Sequence, residues 1–209
     1  MRKRKLEIFT VIRDDIVNNT KSYFIVFVIF VVGVFLGVMF VNQIGDKREI
    51  EDYINTYIDE TKSIQNGNYF GELQNDVKNN IVLVLLLWFA GTTIIGIPIV
   101  LGTILFRGFC LGYTIASCVY VLGRMKALIF IGITILLQNI IFIPAIMILG
   151  VSSIKLYKSI VKDRRKENIK PAIIKHTVLS AVILIVLIMS SIIKIEISYR
   201  LIVSLIKYF

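Results

Sequence analysis

No aspartate or glutamate interrupts any of the long apolar runs in this sequence. That absence excludes an intramembrane aspartyl protease and the acidic proton relays typical of pumps. Histidine occurs once, at His176, so a two-histidine zinc site of the H-E-x-x-H kind is impossible. Cysteine occurs twice, as Cys110 and Cys118. On one helix these thiols lie about 12 Å apart along the axis, too far for a disulfide. With one histidine besides, they offer no metal-ligand spacing. There is no G-x-S-x-G nucleophile and no glycine-rich phosphate loop followed by lysine and serine or threonine. Charge is also scarce, at 18% of residues, where soluble domains run to about 25%. The expectation is a protein that is not an enzyme, with no cofactor and no metal.

What is abundant is apolar sequence. Of 209 residues, 56% are hydrophobic, and the mean hydropathy is +0.80. Several runs exceed the roughly 18 residues that a membrane span requires. A soluble core of this length could not hide them, so the sequence reads as an all-α, polytopic transmembrane helical bundle forming one domain. The net charge of +10 would suggest nucleic acid in a soluble protein. No nucleic-acid motif accompanies it, and lysine and arginine collect on cytoplasmic segments of membrane proteins. The basic excess is therefore read as topological, with no nucleic-acid partner.

Along the chain, residues 1–21 open with Arg2-Lys3-Arg4-Lys5 and continue with Leu6, Phe9, Ile12 and Ile16 at helical spacing. This is a basic amphipathic helix at a membrane surface. Span one covers 23–41 and holds Gly33 and Gly37, a small-xxx-small pair that admits a close neighbour helix. Residues 45–80 are polar and acidic. Ile50, Tyr53, Ile54, Tyr57 and Ile58 mark one helical face, Asn66-Gly67 marks a turn, and Phe70, Leu73 and Val77 mark a second short helix. This ordered helical loop could dock its apolar face on the bundle or on a partner, and Tyr53, Tyr57, Ile58 and Phe70 are the candidate partner contacts.

The apolar stretch 81–123 would run about 65 Å as one helix, so it must turn. The preferred turn lies between Gly102 and Gly108, giving span two at 81–102 and span three at 108–123, with Arg107 at the interface. A turn at Gly96-Ile97-Pro98 is the alternative, and it puts Arg107 at membrane depth, where a charge is itself a functional hypothesis. Span four, 127–154, carries Gln138-Asn139 and Pro144. The amides read either as interhelical hydrogen bonds or as pathway-lining groups. A basic loop, 155–171, includes the run KDRRK at 162–166. Span five is 172–193, and the tail 194–209 is placed at the opposite surface.

Five spans put the termini on opposite sides. With the amino terminus inside, the inner segments hold fifteen basic residues against five acidic ones, and the outer segments hold nine of each. The positive-inside rule then makes the amino terminus cytoplasmic, and the acidic loop and the carboxyl tail extracytoplasmic.

The order of these features resembles the stage II sporulation protein M family over essentially the whole chain. The resemblance is carried by the basic start, Gly33-Val34-Phe35-Leu36-Gly37, the acidic loop and Asn80 opening span two. Arg107-Gly108-Phe109-Cys110-Leu111-Gly112 and Leu137-Gln138-Asn139-Ile140-Ile141-Phe142-Ile143-Pro144-Ala145 complete it. It implies a non-enzymatic scaffold in the mother-cell septal and engulfing membrane during forespore engulfment. Its implied partners are two extracytoplasmic or membrane-anchored cell-wall hydrolases that cut peptidoglycan, besides the lipid bilayer and copies of the chain itself. On that reading Gly33, Gly37, Gly108, Gly112, Gln138, Asn139 and Pro144 serve helix packing. The alternative is a subunit of a small-solute or ion transporter or channel, for which Arg107, the amide pair and the proline-interrupted span are the supporting features.

Overall fold

In the computed structural model, the described residues are 17–43, 45–65, 69–93, 95–162 and 169–205. Among them are seven α-helices and no strand. We number them α1 (Thr20–Gln43), α2 (Lys47–Gln65), α3 (Tyr69–Thr92), α4 (Gly96–Leu122), α5 (Arg124–Phe130), α6 (Leu137–Lys162) and α7 (Ile169–Leu205). A π-helical turn, Ile131–Leu136, joins α5 to α6. The amphipathic helix expected over 1–21 falls almost wholly outside the described residues, as does most of KDRRK.

Five of these helices traverse the bundle. α1 and α4 lie parallel, since Phe40 meets Phe109 at 5.7 Å between ring centroids and Gly33 meets the Leu105 backbone. α3 runs antiparallel to α7: Asn80 bonds Ser191 at one level, and Trp88 bonds Thr177 further along. α6 descends beside α3, where the Ser153 hydroxyl donates to the Leu87 carbonyl at 3.0 Å. Leu83, Leu87, Ile104, Leu149, Ile183 and Leu187 are buried where α3, α4, α6 and α7 converge. Outward faces carry exposed Phe24, Phe35, Leu85, Phe89, Phe106 and Ile185, the belt expected of a surface in hydrocarbon rather than water.

Five spans were expected. Among the described residues, four helices are long and apolar enough to cross a membrane: Thr20–Gln43, Gly96–Leu122, Asn139–Val161 and Ile169–Glu196. α3 is not among them, being apolar only in its second half, residues 81–92. That half rises about 18 Å, well short of a hydrocarbon core of about 30 Å.

The preferred turn between Gly102 and Gly108 is overturned. α4 is one continuous helix from Gly96 to Leu122, so 81–102 and 108–123 are not separate spans. The chain reverses at Thr93 and Ile95 instead, where the Gly96 amide donates to the Thr93 carbonyl at 3.1 Å. Pro98 explains the choice. Its missing N–H is harmless only in a first turn, where the donors have no intrahelical acceptor. Gly96 supplies the room, since a Cβ there would strike the Ala90 carbonyl. The last helix is longer than span five alone. α7 continues to Leu205, because no glycine or proline follows Pro171 to stop it.

The tightest helix contact joins α1 to α4. A Cβ on Gly33 would fall on the Leu105 carbonyl oxygen, and one on Gly37 on that of Phe109. Reciprocally, a Cβ on Gly108 would meet the Phe30 carbonyl, and one on Gly112 that of Val34. Four glycines thus form an intramolecular clasp in which backbones touch. Gly102, on the same helix, has open space around its Cβ position. Gly108→Ala is expected to lower stability by about 1–3 kcal/mol through overpacking. Gly102→Ala should be neutral or stabilising by up to about 1 kcal/mol. Thermal unfolding of both variants in mild detergent checks this contrast.

Candidate functional site

A polar cavity of about 240 Å³ lies between the middle of α4 and the end of the bundle that carries α2. Four of its walls come from the long helices of the bundle. α3 contributes Asp76, Asn79 and Asn80, α4 contributes Arg107, Cys110 and Thr114, α6 contributes Asn139 and Phe142, and α7 contributes Lys194. α2 closes one side with Tyr57.

Each wall follows from local sequence. Asp76, Asn79 and Asn80 share one face of α3 at spacings of three and four, so the polar half of that helix turns a carboxylate and two amides the same way. Asn80 is buried, and its amide donates to the Ser191 hydroxyl at 2.8 Å. Asp76 accepts from the Lys194 ammonium at 2.9 Å, with the two side chains 20% and 24% exposed. Before α6, the π turn widens the helix, a distortion common at functional sites. The Asn139 amide then donates to the Ile135 carbonyl at 2.8 Å, one turn back on its own segment.

Arg107 occupies the part of the cavity nearest mid-bundle. It is the twelfth residue of α4, about 17 Å along the axis from Gly96. Its placement corrects the interfacial position expected with the other turn. The guanidinium stacks over Phe142, 5.4 Å from the ring centroid, a cation–π contact worth about 0.5–2 kcal/mol. Among the described residues it has no ion-pair partner.

The sequence-level candidates separate in space. Tyr53 sits on the inward side of α2, its hydroxyl 2.8 Å from that of Thr114 and its ring edge-on to Tyr113 at 5.2 Å. Burial pushes its phenol above the ordinary value, with the Thr114 hydrogen bond opposing. Tyr57 packs edge-on against Phe130 at 6.0 Å. With buried Ile50 and Ile54, these rings hold α2 on the bundle. Phe70 is 76% exposed at the start of α3. Pro144 lies on the exposed face of α6, whereas Ala145 and Ile146 behind it are buried. The side chains of Ile58 and Gln138 lie outside the described residues.

Sequence reasoning missed Asp76, Asn79 and Lys194 as site residues. The three-four spacing of polar groups running into an apolar helix was a legible signal on α3. The pairing with Lys194, 118 residues away, was not. His176 is 2% exposed, its Nδ1 2.9 Å from the Ser152 hydroxyl. Among the described residues, no three histidine, cysteine, aspartate or glutamate side chains converge to hold a metal.

The family model described as Stage II sporulation protein M matches residues 26–196. The chain belongs to that family. Membership makes it a sporulation-related membrane protein with many helices. The matched region begins inside α1 and ends two residues beyond Lys194, so it includes the clasp and every wall of the cavity. No curated protein and no solved structure matches the chain.

The Asp76–Lys194 pair is partly solvated, so its coupling is expected to stay below about 1 kcal/mol. A double-mutant cycle with Asp76→Asn and Lys194→Met, read by unfolding in detergent, measures it. For Tyr53 the folded phenol titrates above the unfolded one, so its contribution is complete below about pH 10. That contribution is lost as pH rises further, and Tyr53→Phe should flatten that part of the stability profile.

Proposed function

We propose that this chain is a non-enzymatic membrane scaffold for engulfment, recruiting peptidoglycan hydrolases to the septal and engulfing membrane of the mother cell. Membership of the Stage II sporulation protein M family over residues 26–196 is the observation that carries the reading. The architecture is compatible with it. α2 is fastened to the bundle by Ile50 and Ile54, and its other face presents Glu51, Asp52, Asn55, Thr56 and Asp59. A docked helix with a polar outer face is a surface that loses little conformational freedom on binding. In this reading the amino terminus is cytoplasmic, and α2 and the carboxyl end of α7 face the wall. The charge asymmetry supports that orientation. Moving the turn to Thr93–Ile95 changes neither end, because that turn and the one first expected both fall on the amino-terminal side.

Two hydrolases are the partners of this scaffold, one cutting peptide stems and the other glycan strands. Exposed Phe70 is the anchor at which a partner engages. The test is a mild-detergent pull-down of the tagged chain from sporulating cells, followed by mass spectrometry. Two extracytoplasmic wall hydrolases are expected among the specific hits. A preparation free of them even after crosslinking would contradict the scaffold reading. Phe70→Ser should reduce their recovery several-fold without moving the thermal midpoint.

A further inference from the structure

We propose that the Arg107 cavity binds the phosphodiester headgroup of one anionic phospholipid. This goes beyond the scaffold reading and does not depend on it.

The argument begins with charge. Among the described residues, Arg107, Lys194 and Asp76 are the charged groups of the cavity wall. Asp76 pairs with Lys194 and also acts electrostatically on Arg107, and one carboxylate against two cations leaves this set of groups with one net positive charge. A cation at this depth is costly without a counter-charge. The Phe142 ring, its centroid 5.4 Å from the guanidinium carbon, accepts no conventional hydrogen bond from the guanidinium N–H groups, which form a fork suited to two oxygens of one phosphate. A phosphodiester lipid such as phosphatidylglycerol carries one negative charge, which neutralises the wall.

The shape of the site favours a lipid over a soluble anion. Leu111, Ile135 and Phe142 line the same cavity as the polar groups, so the wall is amphiphilic. The polar rim also runs directly into a lipid-facing surface. Asn79 is exposed at the edge. Val82, one turn further along α3, is 56% exposed, and Leu85 and Phe89 continue the stripe. An acyl chain can therefore lie along α3 while its phosphate turns inward to Arg107. Because the apolar half of α3 is short, polar atoms stand beside that stripe within reach of one leaflet. Cationic pockets between spanning helices bind headgroups in this way.

The experiment uses the full chain purified in mild detergent and native mass spectrometry with added phosphatidylglycerol, phosphatidylcholine or inorganic phosphate. The wild type should retain phosphatidylglycerol about tenfold more strongly than phosphatidylcholine, as for one desolvated charge-assisted pair. Arg107→Gln should abolish that preference. Asp76→Asn, which makes the wall more positive, should increase it. Should Arg107→Gln fail to fold, the wild-type selectivity and the Asp76→Asn response decide the matter. Equal retention of the two lipids by the wild type overturns the proposal. So does a preference that survives in folded Arg107→Gln, or one that does not rise in Asp76→Asn. Displacement of phosphatidylglycerol by an equal concentration of inorganic phosphate also overturns it, in favour of a free oxyanion.

Discussion

The contact between α1 and α4 sets the geometry of everything else in the bundle. At Gly33, Gly37, Gly108 and Gly112, two helices approach until backbone touches backbone. In hydrocarbon, burying apolar side chains supplies little drive for helix association, so close van der Waals contact must supply it. Phe40, Phe109 and Tyr113 cover one end of the clasp with ring contacts. Tyr113 passes that order on to α2, because Tyr53 packs against it. The outer helix is thus fixed through α4 and not only through the short connection after α1.

A second constraint follows from the first. The clasp engages α4 from Leu105 to Tyr113 within one continuous helix, which places Arg107 near the middle of that helix instead of in a turn. A charge so placed requires polar neighbours, and the polar half of α3 supplies them. The price is a pass that is too short in apolar length to cross alone. Its Asn80 amide and Asp76 carboxylate are matched from within, by Ser191 and Lys194 of α7. The short apolar face of α3 and the buried cation of α4 are therefore two parts of one arrangement.

Much of this was legible in the residues. Helical class, membrane residence and the α1 span follow from apolar run length, and the close approach at Gly33 and Gly37 from small-xxx-small spacing, whereas the Gly108–Gly112 half of the clasp was not read from spacing. The inward face of α2 was visible in Ile50, Tyr53, Ile54 and Tyr57. The α3–α4 turn was misplaced because Gly102 and Gly108 resemble breakers as much as Gly96 does. Only tertiary contact separates a glycine that packs, such as Gly108, from one that turns the chain. Pro98 was the better guide, since its missing donor restricts where it can sit in a helix. The helical continuation of α7 to Leu205 agrees with a segment, 194–205, that holds no glycine or proline to stop it. The Asp76–Lys194 and Asn80–Ser191 pairs join residues more than a hundred positions apart, and no local period encodes them.

The parallel seating of α1 on an uninterrupted α4 is the claim on which the cavity depends. Cysteine crosslinking in membranes tests it most directly, in a background carrying Cys110→Ser and Cys118→Ser, with peptide mass spectrometry of the oxidised chain. Phe40→Cys with Phe109→Cys should form an intramolecular disulfide, and Phe40→Cys with Ile99→Cys should not. Crosslinking of the second pair in preference to the first would contradict the account, because it would place the start of α4 beside the end of α1.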